Sequence, residues 1–322
     1  MNSKLTEGQL SVLNMSQSII AEVKKVIIGK DDIIIKVLLS ILAGGHILIE
    51  DIPGVGKTTL ALALSKALSL EYKRMQFTPD VLPTDVTGFN ILNSKTGQFE
   101  YKQGAALTNL FLADEINRTS SKTQSALLEI MEEGKVTVDG VTRQAPDPYI
   151  VIATQNPIGS IGTQMLPESQ MDRFIVRLTM GYPSIENEVM MLKSKQNLVP
   201  VDDVKAVASA QDIIRARHEV ENIYVADQVL EYIARLAAAT RSHQYIKMGL
   251  SPRGTIALVR MTKATALLKG RDYVIPDDVM YAFNDVVMHR MVFSSKAKIN
   301  GITGAQVLKE ILSTVAVPRV SG

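Results

Sequence analysis

Two spacings of hydrophobic positions divide the chain. Ile19 to Ile28 and Ile33 to Leu42 carry apolar residues at helical intervals, and Asp31 or Asp32 is placed to cap the second helix. Gly44-Gly45 ends that helix, and His46-Ile47-Leu48-Ile49-Glu50 reads as a short buried strand. A glycine-rich turn follows, then an Ala/Leu-rich helix from Lys57 to about Leu68. Further runs with strand character are Asn109 to Ala113, Tyr149 to Thr154 and, more weakly, Phe174 to Thr179, with a helical stretch from Lys122 to Glu132 among them. Strands alternating with helices predict a parallel sheet covered on both faces. Two hairpins interrupt this order. One is Phe89 to Tyr101, turning near Thr96-Gly97; the other is Lys135 to Arg143, turning at Asp139-Gly140, a pair suited to a type I′ turn.

After Gly181-Tyr182-Pro183 the pattern is mainly helical, over Glu186 to Gln196, Asp203 to His218, Ala226 to Arg241, Arg253 to Lys269, Pro276 to Met291 and Ala305 to Val315. Pro252 and Pro276 stand where helices begin. The chain therefore divides into an α/β domain, residues 1–181, and a smaller all-α domain, residues 182–322. Charge divides at the same place: 17 basic and 19 acidic side chains precede it, and 18 and 14 follow.

Composition narrows the function. A length of 322 residues suits about two domains. The absence of cysteine excludes disulfides, thiol catalysis and thiolate metal sites. A net charge of +2 and 5% aromatics give no ground for a polyanionic partner or for base stacking. Met1 to Gln17 lacks the apolar core of a secretory signal. The most apolar stretch, Val37 to Ile49, is 13 residues long, short of the roughly 20 that a membrane span needs. A cytoplasmic protein without membrane insertion is expected. His46, His218, His243 and His289 form no metal-spaced pair, and Met190-Met191 fits core packing.

The richest chemistry lies in Asp51-Ile52-Pro53-Gly54-Val55-Gly56-Lys57-Thr58-Thr59, between a strand and a helix. Gly54 and Gly56 let backbone N–H groups turn toward phosphate oxygens, and the helix N-terminus adds partial positive charge. Lys57 can reach the β- and γ-phosphates and Thr58 can ligate Mg²⁺. Asp51 stands where such a loop usually begins with glycine. A second motif, Leu110-Phe111-Leu112-Ala113-Asp114-Glu115, ends a strand in two acids at the sheet's carboxyl edge, where open α/β sheets bind ligands. Asp114 suits a metal held through water, and Glu115 suits activation of a water. Read alone these acids could simply open a helix, and Asn156-Pro157 could be a plain turn. The phosphate loop upstream gives both their chemical meaning, with Asn156 beside the water and γ-phosphate.

Taken together these motifs resemble the AAA+ ATPases, and within them the MoxR family of the helix-2-insert clade. The resemblance runs from about residue 20 to 290. It rests on the loop just described, Ala113-Asp114-Glu115-Ile116-Asn117-Arg118, Ala153-Thr154-Gln155-Asn156-Pro157, Leu166-Pro167-Glu168 with Asp172-Arg173-Phe174, Ser251-Pro252-Arg253, and the insert-like Gln76-Phe77-Thr78-Pro79-Asp80-Val81-Leu82-Pro83-Thr84-Asp85-Val86-Thr87-Gly88. Gly104-Ala105-Ala106-Leu107-Thr108-Asn109 departs from the family's usual Gly-Pro-Ile-Phe-Ala-Asn.

The resemblance implies a P-loop sheet core followed by a helical lid, and a Mg²⁺-dependent hydrolase converting ATP to ADP and phosphate. Lys57 and Thr58 match Walker A, Asp114 and Glu115 Walker B, Asn156 sensor 1, Arg253 sensor 2 and Arg173 an arginine finger, with Arg118 a lesser candidate for the finger. Val26-Ile27-Ile28-Gly29 matches the segment that packs on adenine. A finger acting on a neighbour's nucleotide implies a homo-oligomeric ring, by family a hexamer. The implied work is chaperone-like remodelling of a protein client, von Willebrand factor A-domain proteins being frequent partners. A metal-chelatase motor is the nearest alternative. A nucleic-acid motor is disfavoured, because its hairpin tip would present Lys or Arg where this chain has Asp139-Gly140.

Overall fold

The computed structural model describes residues 5–156, 166–194 and 201–318. In chain order the α/β domain contains α1 (Glu7–Lys24), α2 (Asp31–Leu42), β1 (His46–Glu50), α3 (Lys57–Ala67), β2 (Tyr72–Gln76), α4 (Pro83–Thr87), β3 (Gly88–Leu92), β4 (Phe99–Gln103), β5 (Leu110–Asp114), α5 (Ser121–Glu133), β6 (Lys135–Val138), β7 (Val141–Gln144), β8 (Ile150–Gln155), α6 (Glu168–Met171) and β9 (Phe174–Leu178). The second domain contains α7 (Ile185–Ser194), α8 (Ala210–Glu221), α9 (Asp227–Ser242), β10 (Ile246–Met248), α10 (Pro252–Leu268), α11 (Pro276–Val287), β11 (Val292–Phe293), α12 (Ser295–Ile299) and α13 (Gly304–Thr314).

Five strands form one parallel sheet in the order β2-β5-β8-β1-β9. Every residue of β5 and β8 is buried, as a parallel sheet covered on both faces requires. Side chains alternate between faces. Ile47 and Ile49 join a core shared with α1, α2, α3 and the second domain, while Leu48 joins Phe111, Leu127, Val151 and Phe174 on the other face. The edge strand β2 reads Tyr-Lys-Arg-Met-Gln and is partly exposed. Its polar composition hides it from a search for apolar runs.

The structure corrects several sequence expectations. α1 starts at Glu7, twelve positions before Ile19, because Thr6 and Gln9 make a reciprocal capping box. Lys30, not Asp31 or Asp32, occupies the cap of α2, and both aspartates lie in the first turn, where they favour the helix dipole. Helix begins at Ala210 rather than Asp203, set by a Ser209–Asp212 capping box. Met190 and Met191 are not core residues: they are 55% and 44% exposed, on a helix with no buried side chain among its described residues. Pro157 and residues 195–196 lie outside the described residues.

Both hairpins form, β3 with β4 and β6 with β7. Asp139 and Gly140 have φ of 50° and 78°, the pair of positive values a type I′ turn demands. The hairpins brace each other. Asn90 Nδ2 donates to Asp139 Oδ2 at 2.7 Å, and the Arg143 guanidinium lies 3.7 Å from the centre of the Tyr101 ring. Between the domains, Lys30 Nζ donates to three successive carbonyls, Met180 at 2.6 Å, Gly181 at 3.0 Å and Tyr182 at 2.8 Å.

Candidate active site

The turn from β1 into α3 runs at positive φ at Gly54 (85°) and Gly56 (95°). A Cβ at Gly54 would meet nothing within 4 Å. Conformation rather than crowding therefore selects glycine there, and open space faces the backbone amides. Gly56 caps α3, so the helix N-terminus points partial positive charge into that space. Lys57 is buried, and its Nζ donates to the Asp51 carbonyl at 2.7 Å. Burial lowers its pKa, opposed by the charges of Asp51, Asp114 and Glu115.

Asp51 has its own structural work in place of the usual glycine. Its buried carboxylate accepts the Ile52 N–H at 2.8 Å through Oδ1 and the Gly181 N–H at 2.6 Å through Oδ2. The phosphate loop is thereby tied to the segment that leads into the second domain.

Asp114 and Glu115 follow from β5. Thr154 on β8 donates through Oγ1 to Asp114 Oδ1 at 2.7 Å and accepts the Glu115 N–H at 2.8 Å. Glu115 has φ 56° and ψ 49°, a left-handed conformation that costs about 1–2 kcal/mol outside glycine. Its Oε1 accepts from Asn156 Nδ2 at 3.0 Å, and its Oε2 from Gln76 Nε2 at 2.8 Å and Arg118 at 3.0 Å. Asn156 Oδ1 is buried without a hydrogen-bond partner among the described residues. A polar atom left open beside a carboxylate fits a water-activating site. Ile27, Ile28, Gly29, Asp31, Asp32 and Asn187 are among the residues that line a cavity of about 550 Å³.

Thr58 and Asp114 offer hard oxygen donors. Among the described residues no group of three or more His, Asp or Glu forms a closed metal cage. That donor set fits Mg²⁺, which is usually held by one or two protein oxygens together with substrate phosphates.

The structure brings together Lys57, Thr58, Asp114, Glu115 and Asn156, but places Arg173 and Arg253 elsewhere. Lys57 follows the carboxyl end of β1, whereas Arg173 precedes β9 at the amino edge of the sheet. Arg173 and Arg253 share a cavity of about 490 Å³ with Gly44, Gly45 and His46, which begin β1. A five-residue strand puts these edges roughly 13–16 Å apart. Both arginines pair with one carboxylate: Arg173 Nη1 lies 2.7 Å from Glu132 Oε2, and Arg253 Nη2 bonds Glu132 Oε1. Asp172, the sequence-adjacent acid, instead pairs with Arg290 at 2.7 Å and accepts from Ser251 at 2.9 Å, locking the cap of α10 to the sheet domain.

Sequence reasoning missed the roles of Arg74, Gln76, Thr154, Glu132 and Arg290. Arg74 and Gln76 recur at every second residue of β2, a signal readable only once that strand is recognised.

Residues 46–176 match the family model described as ATPase family associated with various cellular activities, and residues 238–311 match the AAA lid domain. The chaperone MoxR1 of Mycobacterium tuberculosis is 36% identical, over 98% of this chain and 85% of that one. The chain belongs to the MoxR family of AAA+ ATPases. Another relative, the uncharacterized protein YeaC of Bacillus subtilis, is 49% identical over 93% of each chain. A crystal structure of a protein assigned as an ATPase from Cytophaga hutchinsonii superposes with a TM-score of 0.90 at 37% identity, covering 97% of this chain and 98% of that one. The MoxR-family chain thus has the AAA+ sheet core and lid, and its function class is that of an ATPase.

Proposed function

We propose that this MoxR-family ATPase hydrolyses ATP to ADP and phosphate with Mg²⁺ in a ring, expected to be hexameric, and uses the cycle to remodel a protein client. The observation that carries the ring is the placement of Arg173 and Arg253 at the edge opposite Lys57. Neither arginine can serve its own subunit's phosphates, so both suit a nucleotide held by the next subunit.

In each site the loop amides from Gly54 to Thr59 and Lys57 would hold the phosphates, while the Ile28-Gly29 segment packs on the adenine. Thr58 and Asp114 would hold Mg²⁺, which neutralises developing charge when bound. Glu115 takes the proton of the attacking water, oriented with the help of Asn156. Arg173 and Arg253 of the neighbour stabilise charge spread over the γ-phosphoryl oxygens.

A protein client is supported by Ile91, Leu92 and Phe99, which are 51%, 55% and 74% exposed on the first hairpin. The acidic turn at Asp139-Gly140 and the near-neutral charge speak against nucleic acid. Among the described residues no helix is long and apolar enough to cross a membrane. A von Willebrand factor A-domain protein is the partner class to test first.

Glu115→Gln should bind ATP with parental affinity yet hydrolyse it about 10²–10⁴-fold more slowly, and should retain clients when ATP is present. Parental turnover in Glu115→Gln would overturn the assignment.

A further inference from the structure

We infer that Arg74 is an internal cation that competes with Mg²⁺ for the Asp114 carboxylate. This rests on the nucleotide reading above. Arg74 projects from the middle of edge strand β2, two positions before Gln76, which stands opposite Asp114 in the sheet register. Its Nε and Nη2 donate to the same oxygen, Asp114 Oδ2, at 3.2 and 2.7 Å. The other oxygen, Oδ1, accepts from Thr154 Oγ1 at 2.7 Å.

Charge makes this a competition. Both Arg74 N–H groups reach Oδ2 from one guanidinium, so the acceptor sites left on the Asp114 carboxylate lie beside a fixed cation. A metal ion bound there, directly or through a water, brings a second positive charge against the guanidinium. Thr154 holds Oδ1 from within the buried strand β8, whereas the Arg74 side chain is 46% exposed and can swing into solvent. The displaceable partner is therefore Arg74.

Arg74 also connects to the water-activating group. Its Nη2 donates to Gln76 Oε1 at 3.2 Å, and Gln76 Nε2 donates to Glu115 Oε2 at 2.8 Å. Metal entry at Asp114 thereby loosens one of the contacts that hold Gln76 on Glu115. Arg74 acts through Asp114 and Gln76, so it is a positioning residue.

The experiment is a Mg²⁺ titration of fluorescent-ATP binding to the full chain, with an EDTA arm, for the parent, Arg74→Gln and Arg74→Lys. Removing the internal competitor should lower the half-saturating Mg²⁺ concentration by roughly 1.5- to fivefold, the range of a partly exposed ion pair. In EDTA the Arg74→Gln protein should bind ATP more weakly than the parent, because Asp114 then faces the phosphates uncompensated. Arg74→Lys keeps a cation and should return the Mg²⁺ midpoint toward the parent.

An unchanged or higher midpoint in Arg74→Gln overturns the inference. So does an equal loss of affinity with and without Mg²⁺, the mark of a merely structural residue. So does an Arg74→Lys midpoint identical to that of Arg74→Gln. If the parent itself fails to bind ATP, the nucleotide reading falls, and this inference with it. Parental binding without a shift sinks the role of Arg74 alone.

Discussion

The two edges of the sheet make opposite use of charge. At the carboxyl edge, one strand–loop–helix passage supplies Gly54, Gly56, Lys57 and Thr58, and neighbouring strand ends add Asp114, Glu115 and Asn156. At the amino edge, Arg173 and Arg253 come from different domains and meet on Glu132, which extends from α5. On the proposed mechanism the first edge would bind a triphosphate within one subunit, and the second would offer its two cations to the nucleotide of a neighbour. Catalytic parts kept at separate edges would then make hydrolysis a property of adjacent subunits.

The largest expected effect tests that separation directly. Arg173→Ala should lower turnover by about 10³–10⁵ while leaving the ATP affinity of a lone subunit unchanged, whereas Lys57→Ala should lose affinity itself. Mixing the two proteins should restore part of the activity, measured as phosphate release. No recovery at any mixing ratio would break the two-edge picture.

Next in size is the frame of the amino edge. Arg290 is 5% exposed and pairs with Asp172 while donating to the Ile175 and Phe174 carbonyls. Arg290→Met leaves Asp172 without this partner, and loss of one member of a buried pair costs about 3–5 kcal/mol. The thermal midpoint should fall well below that of Lys57→Ala; equal midpoints would contradict the framing role.

Acid should also act on the amino edge first. His46 accepts the Val151 N–H on Nδ1 at 3.1 Å, so its Nε2 donates to the Met131 carbonyl at 3.0 Å and the ring is neutral. Burial, with Arg217 and Arg260 adding repulsion, pushes its pKa down to about 4. Burial and the adjacent Arg290 hold His289 well below the usual value too. A lowered folded-state pKa means the unfolded chain binds more protons between the two values. The stabilisation is therefore complete above about pH 6.5 and is lost as pH falls toward 4, up to roughly 3 kcal/mol for His46. Thermal midpoints across pH 7 to 4.5 should drop, and His46→Gln should flatten the profile.

The smallest effect is expected at Glu132. Its carboxylate and Arg253 are substantially exposed, so Glu132→Gln should change stability by less than about 1 kcal/mol. A larger loss in a chemical-denaturation curve would give this pair a structural role that its exposure does not suggest.

The carboxyl edge was readable because its residues are contiguous and their backbone demands are local. Positive φ at Gly54 and Gly56 leaves glycine in the sequence, and buried β5 and β8 leave unbroken apolar runs. The strand β2 escaped because an edge strand with one covered side needs few apolar residues, and Tyr-Lys-Arg-Met-Gln shows none of the usual pattern. Missing it meant missing Arg74 and Gln76. The amino edge was half legible. Arg173 and Arg253 were identified by motif, but no spacing could show that Glu132 joins them, since the three residues come from separate segments. Nor could position alone say that Asp172 serves Arg290 rather than Arg173.

Lys30 gives the linker between the domains a particular mechanical character. One ammonium group has three protons, and each is given to a different carbonyl of residues 180–182. The set is saturated, so the segment cannot creep along the lysine by exchanging one contact for another. Met180 and Gly181 end the sheet domain, and Gly181 is held by Asp51 as well. Lys30 therefore pins the start of the linker to its own domain, so a lid displacement must pivot beyond residue 181, and Lys30→Ala should broaden the spread of inter-domain distances followed in single molecules.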